Sequence, residues 1–248
     1  MHKLRVFSPN QSCAPLRNLE FPNRILLRLG STTPLNSKYK YLELNSIDGV
    51  RVSANKIYMK SVFADVNIHH SEWGHFTNPG DLRQFFAQHK IVIAKHRHSS
   101  KGENIYYIDN KKALEMFIDT HKNLPEFIFE KYYFYPNEYR LHVDVNHGCF
   151  YACKKILNDD ALVQWHKHAN NSTFVYVTPE HIKPDCWNQI VEDCQTVMKA
   201  MGLHIACFDI LCSNDNFIIV ESNTAPSLAD YGLTFYSNHI QKYYGTRF

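Results

Sequence analysis

The feature that most constrains this chain is a pair of strongly apolar runs near its C-terminal end, Ile205-Ala206-Cys207-Phe208-Asp209-Ile210-Leu211 and Phe217-Ile218-Ile219-Val220-Glu221, joined by Cys212-Ser213-Asn214-Asp215-Asn216. Such runs read as the two strands of a hairpin. A turn centred on Asp215 sets Asp209 directly opposite Glu221, and Asn223, two residues further on, falls on the same face. A carboxylate on a buried strand is costly when unpaired, so acidic residues in such runs call for a counter-charge. Two carboxylates and an amide oxygen are a donor set for a hard cation such as Mg²⁺, which prefers oxygen and is commonly shared with substrate phosphates. The same spacing also describes an acidic hairpin facing solvent, and a one-residue slip would turn Asp209 to the other face.

A second hairpin is expected over 139–145 and 150–156. A two-residue loop at Asn146-His147 sets Glu138 opposite Lys155 and Arg140 opposite Cys153. Glu138, Arg140 and His142 then share one face, where the Arg140 guanidinium fork could hold a phosphate or carboxylate. An exposed cross-strand ion pair fits the same pattern. Upstream, the apolar strand 91–95 ends in Lys95 and runs into His96-Arg97-His98-Ser99-Ser100-Lys101-Gly102. Its cations, hydroxyls and amides suit a phosphate chain, and also a plain basic turn; one glycine is too few for G-x-G-x-x-G, and there is no Walker loop.

The remaining elements are a strand over 24–29, helices over 53–62 and 81–88 capped by Ser53 and Asp81, a helix over 111–121, a strand over 126–130, and a long helix over 184–201 closed by Gly202. Helices interleaved with strands, with hairpins late in the chain, predict an α+β fold in closely packed lobes. The 248 residues are 44% hydrophobic and 14% aromatic, enough to bury a core. A net charge of +3 with dispersed cations argues against nucleic acid as the primary partner. No run approaches the roughly 20 apolar residues of a membrane helix, and the first residues lack a signal-peptide apolar region. Seven cysteines, odd in number and without C-x-x-C, read as reduced thiols, so a cytoplasmic location is expected. The His69/His70, His96/His98 and His166/His168 pairs read as surface histidines.

Phe208-Asp209-Ile210-Leu211 followed by Val220-Glu221-Ser222-Asn223-Thr224-Ala225-Pro226-Ser227 resembles the ATP-grasp superfamily, in particular its carboxylate–amine ligases of the ribosomal-protein-S6 glutamate ligase and phage types. In that family an Asp and a later Glu-x-Asn bind two magnesium ions that bridge the ATP phosphates. The resemblance carries this role onto Asp209, Glu221 and Asn223. It implies that Lys95 and Lys56 contact the phosphates, and that Ser99, Ser100, Lys101 and Gly102 form the loop over them, with Glu103 where glycine is common. Glu130, Lys131 and Tyr132 fall in the hinge that reads the adenine edge, with Glu130 placed to accept from ribose hydroxyls or the adenine amino group. Glu138-Tyr139-Arg140-Leu141-His142-Val143 resembles the family's Glu-Tyr-Arg-Val-His-Val strand, which puts Glu138, Arg140 and Lys155 near the transferred phosphate, the last two as catalytic groups. Asn170-Asn171 resembles the asparagine segment before the last long helix.

The resemblance covers 56–228 and, more weakly, 26–33; the last twenty residues add nothing specific to it. It implies an ATP-grasp fold with the nucleotide between two α+β lobes, divided here as a small N-terminal lobe over 1–55, a central lobe over 56–125 and a C-terminal lobe with the metal site over 126–248. The implied reaction consumes ATP with Mg²⁺ to join a carboxylate to an amine through an acyl phosphate. An ATP-grasp kinase acting on a hydroxyl, and a nucleotide-binding module without activity, remain alternatives. Cys207 and Cys212 are expected to pack rather than react, with no base beside either in the pattern.

Overall fold

The computed structural model describes residues 1–99, 102–167, 170–178, 181–228 and 230–245. Arg5–Phe7, Ile25–Arg28 and Leu42–Leu44 form a small parallel sheet with Ile25–Arg28 in the middle. Its apolar strands are buried by the 3₁₀ helix Gln11–Asn18 and, unexpectedly, by the C-terminal helix Asp230–Tyr244: Tyr236, Ile240 and Tyr244 share a core with Val6, Leu16, Ile25 and Leu27. The end of the chain therefore has a structural task that its sequence did not announce. It completes the core of the N-terminal lobe.

A four-stranded antiparallel sheet runs in the order Trp73–Gly74, Phe127–Lys131, Val92–His96, Ile105–Ile108. Helices Pro79–His89 and Lys111–Thr120 cover it through Leu82, Leu114 and Phe117. The third sheet is antiparallel with five strands, in the order Ser172–Tyr176, Gly148–Leu157, Asn137–Asp144, Ile205–Cys212, Phe217–Asn223. One of its faces packs on the helix Trp187–Met201. Gly202 ends that helix at φ +68°, the left-handed conformation that a glycine adopts at least cost.

Two expected helices differ in their bounds. The single helix expected from Ser53 is two, Ile47–Ala54 and Lys56–Asp65, broken at Asn55, whose extended backbone frees its carboxamide to accept from the Ile57 amide at 3.0 Å. Ser53 lies inside the first helix, which Ser46 caps instead. Asn78, not Asp81, caps Pro79–His89, because Pro79 supplies a first-turn residue that needs no amide partner. Helix Lys56–Asp65 inserts Met59 and Phe63 into the core under the five-stranded sheet, whereas Phe127–Lys131 pairs with the central sheet.

Both hairpins reach the expected register by an unexpected route. The Asp209 hairpin turns through the four residues 213–216, which alone would offset the pairing by one. A bulge at Val220 restores it, so that Asp209 faces Glu221. The Arg140 hairpin turns through 145–147, and a bulge at Phe150 likewise brings Arg140 opposite Cys153.

Candidate active site

Cross-strand partners on an antiparallel sheet point to the same face. The ladder therefore lays Glu221, Asp209, Arg140, Cys153 and Tyr176 in one row across five strands, on the side away from the Trp187–Met201 helix. Asp209 is nearly enclosed, and both its oxygens are occupied. Arg140 Nε donates to Oδ1 at 2.7 Å and Nη2 to Oδ2 at 2.8 Å, while Lys155 Nζ reaches Oδ2 at 2.8 Å. Lys155 also donates to Glu138 Oε1 at 2.6 Å, and Lys167 approaches Glu138 at 4.0 Å. Burial raises the Asp209 carboxyl, but Arg140 and Lys155 more than reverse this and hold it well below the usual carboxylate range.

Glu221 lies beside Asp209 with Lys56 Nζ 3.6 Å away, and Lys56 donates to the Ser99 carbonyl at 2.6 Å, tying the loop after Lys95 to Glu221. Asn223 Oδ1 accepts from the Ala225 amide at 2.7 Å, which fixes the turn after the last strand. The N-terminal lobe clamps that turn. Asn10 Nδ2 donates to the Ala225 carbonyl at 2.8 Å, and Gly30, at φ +79°, lies so close that a Cβ there would meet Ala225 Cβ at 2.3 Å. Among the described residues no three His, Cys, Asp or Glu side chains gather as a ready-made metal cage. The donor set here is two carboxylates and one amide, which fits a hard cation that takes its remaining oxygens from phosphates.

Lys95 pairs with Glu130 across the central sheet. Glu130 is sealed in: it also accepts from Lys60 Nζ at 2.6 Å and from Ser71 Oγ at 2.5 Å, and Lys60 donates to Ser71 Oγ at 2.8 Å. Burial raises Glu130, and the two ammonium groups overwhelm it and hold the carboxyl far below its ordinary value. Burial, with the Lys95 charge adding to it, pushes Lys60 down despite Glu130, whereas Lys95 is lowered by burial but carried upward by Glu130 and Glu221. In this arrangement Glu130 faces lysines, with no surface left for a ribose hydroxyl. Lys60 escaped the sequence reading. Its one signal was position, a lysine one turn beyond Lys56 on the stripe that carries Met59 and Phe63.

The hinge residues diverge. Lys131 turns outward and pairs with Glu72 at 2.5 Å. The Tyr132 amide donates to the Ile91 carbonyl at 3.1 Å and its hydroxyl to the Trp165 carbonyl at 3.0 Å. Trp165, also unforeseen, stacks on Tyr107 of the central sheet at 5.2 Å and so ties its loop to that sheet beside Tyr132. Gly102 takes φ +81°, a turn in the loop after Lys95. Ser99 is described; Ser100 and Lys101 lie outside the described residues.

No family model matches the chain, and no curated protein matches it in sequence. Solved structures do match. N5-carboxyaminoimidazole synthetase from Staphylococcus aureus, complexed with ADP, superposes with a TM-score of 0.64 at 16% identity, over 84% of this chain and 56% of that one. D-alanine–D-alanine ligase from Bacillus anthracis gives 0.61 at 12% identity over 80% and 65%. The ATP-grasp ligase PsnB, complexed with minimal precursor, Mg and ADP, gives 0.57 at 17% identity over 77% and 56%. The chain thus spans between 56% and 65% of the length of these proteins. It has the ATP-grasp fold. Among the described residues no helix is long and apolar enough to cross a membrane.

Proposed function

We propose that this chain is an ADP-forming ligase that activates a carboxylate with ATP and joins it to an amine. The observation that carries this reading is the row Glu221–Asp209–Arg140, with Asn223 two residues along and Lys155 against Asp209. The ATP-grasp likenesses, whose members include ligases complexed with ADP and Mg, support it. Asp209, Glu221 and Asn223 would hold Mg²⁺, two ions in the ATP-grasp pattern, which supplies charge neutralisation on the phosphates. Lys95 and Lys56 approach the same face and bind phosphate oxygens.

In the first step a substrate carboxylate oxygen bonds to the γ-phosphorus as the bond to ADP breaks. In the second an amine nitrogen bonds to the acyl carbon and phosphate leaves, the amine proton passing to solvent. Negative charge spreads over the transferring phosphoryl group in the first step. Arg140 and Lys155, already aimed at an anion, stabilise that charge without covalent chemistry. The cysteines play no part: burial pushes Cys207 up to about 12, leaving no thiolate near neutrality.

The test is ADP release from Mg-ATP across a panel of carboxylates and amines, with mass spectrometry of products. A new amide mass is the expected result. A phosphorylated hydroxyl would reassign the chain as a kinase, and nucleotide binding without turnover would leave only a binding module. Arg140→Ala is expected to lower kcat by roughly 10²-fold while changing ATP affinity far less.

A further inference from the structure

Beyond Arg140 the row across the sheet does not end in charge. Cys153 follows, then Tyr176 on the edge strand, two strand spacings or roughly 10 Å from Arg140. On that edge strand Phe174 lies opposite Lys155, so it shares the face. The Arg140 guanidinium sits over the Phe174 ring at 5.1 Å and the Lys155 ammonium at 5.7 Å. The C-terminal helix extends the ring surface. Phe235 stacks on Tyr151 at 5.1 Å and 17°, and Tyr231 lies nearly parallel to Tyr176 at 6.2 Å and 11°.

A core ring cluster would be enclosed, and this one is not. Tyr231 is 70% exposed and Phe174 38%, while Tyr151, Tyr176 and Phe235 are half-buried. Near-parallel rings with an open outer face offer stacking surface to a flat group. The inner end of the surface abuts the two cations proposed to stabilise the transferring phosphoryl group, which the substrate carboxylate attacks. A ligand that used both would carry a carboxylate at one end and a flat ring at the other.

Resting on the ligase reading above, we propose that Phe174, Tyr176 and Tyr231 form the subsite for the body of the carboxylate substrate, and that this substrate carries an aromatic or similarly flat apolar ring. The subsite selects by ring stacking and leaves ATP binding alone. A purely structural role for these rings, stapling the last helix to the sheet, would give no such selectivity.

The probes are N-acetyl-L-tryptophan and N-acetyl-L-alanine, followed by saturation-transfer NMR on the full chain with Mg-ADP. The indole protons are expected to show binding and the alanyl methyl none. Tyr231→Ala, at an exposed position that folding tolerates, is expected to weaken the tryptophan probe roughly 2- to 10-fold, with Mg-ADP affinity unchanged. Phe174→Leu serves as a second variant with the same expectation. Equal binding of both probes, or wild-type affinity in both variants, overturns the proposal. ADP release is measured in parallel and separates the two claims: ring-selective binding without turnover by any carboxylate removes the ligase reading and leaves the subsite standing, whereas turnover indifferent to the ring removes the subsite alone.

Discussion

Two buried ionic clusters face each other across this molecule, and they differ in balance and in access. Around Asp209, two carboxylates meet two close cations, Arg140 on Asp209 and Lys155 shared by Asp209 and Glu138, with Lys167 at the 4.0 Å margin of Glu138. Around Glu130, one carboxylate serves two lysines, Lys60 and Lys95. The first cluster keeps an open side, the Arg140 side chain being 23% exposed; the second has Lys60 at 0%. A balanced, open cluster can exchange partners, passing its cations to a phosphate while its carboxylate takes a metal. A sealed cluster with one cation in excess cannot exchange, and its surplus is directed outward through Lys95, which also feels Glu221. On the proposed ligase reading, the first cluster would serve chemistry and the second would hold its sheet together while attracting nucleotide.

Substitutions in the two clusters should therefore fail in different ways. The largest effect is expected from Asp209→Asn: ATP turnover falls by at least roughly 10²–10³-fold while the fold persists, because Lys155 keeps Glu138. Circular dichroism and ADP release read the two outcomes together. Wild-type turnover would remove the metal assignment, and so would wild-type turnover in Glu221→Gln. Glu130→Gln should do the reverse and damage the fold first. It strands two buried ammonium groups without a carboxylate, a change that costs about 3–5 kcal/mol. Urea unfolding measures it, and a stability loss no greater than that of Asp209→Asn would erase the distinction drawn here.

The Asp209 cluster was legible in the sequence and the Glu130 cluster was not. Asp209, Glu221, Arg140 and Lys155 sit on two hairpins, where alternation and turn position fix which residues face each other. Even there the pairing arose from a turn and a bulge whose offsets cancel, so the facing residues were right and the loops were not. Glu130, Lys95, Lys60 and Ser71 come from two strands, a helix and a loop separated by long stretches of chain. No local period links them, and sequence spacing cannot report a contact made by packing. The same holds for the C-terminal helix, whose partners lie more than two hundred residues earlier in the N-terminal lobe. Its ring surface and the Trp165–Tyr107 stack were unreadable for that reason.

A smaller effect sharpens the first cluster through pH. His142 lies one alternation beyond Arg140, wholly buried, its Nδ1 2.9 Å from the Tyr236 hydroxyl. Burial, with Arg140 adding to it, pushes it down to about 3 from its ordinary 6.5. The folded value is the lower one, so as pH falls the unfolded chain takes up this proton first. The stability that His142 contributes is complete above about pH 6.5 and is lost progressively as pH falls toward about 3. Between pH 7 and pH 5 the loss is roughly 2 kcal/mol. Asp209 and Glu130, whose folded values are also depressed, lose their contribution as pH falls through the ordinary carboxylate range and below it, so they add little between pH 7 and pH 5. Urea unfolding at the two pH values should show a smaller pH dependence in His142→Gln than in the wild type, and parallel losses would reject the assignment.

The smallest expected effect tests the surplus charge itself. Lys60→Met removes one of the two ammonium groups on Glu130 and leaves a one-to-one pair with Lys95. Methionine fills nearly the same volume, and Glu130 keeps Lys95 as its counter-charge, so no buried charge is left unpaired. The fold should therefore survive Lys60→Met far better than Glu130→Gln, although both remove the same contact. What should change is nucleotide affinity, because the cleft then presents one positive charge fewer to the phosphates. The expected weakening is about 1 kcal/mol, or roughly fivefold in the dissociation constant of Mg-ADP by calorimetry. Lys60→Arg, which keeps the charge, should recover most of it. If Lys60→Met instead destabilised the protein as much as Glu130→Gln and left Mg-ADP binding unchanged, Lys60 would be a structural partner of Glu130 alone, and the two clusters would differ in burial but not in purpose.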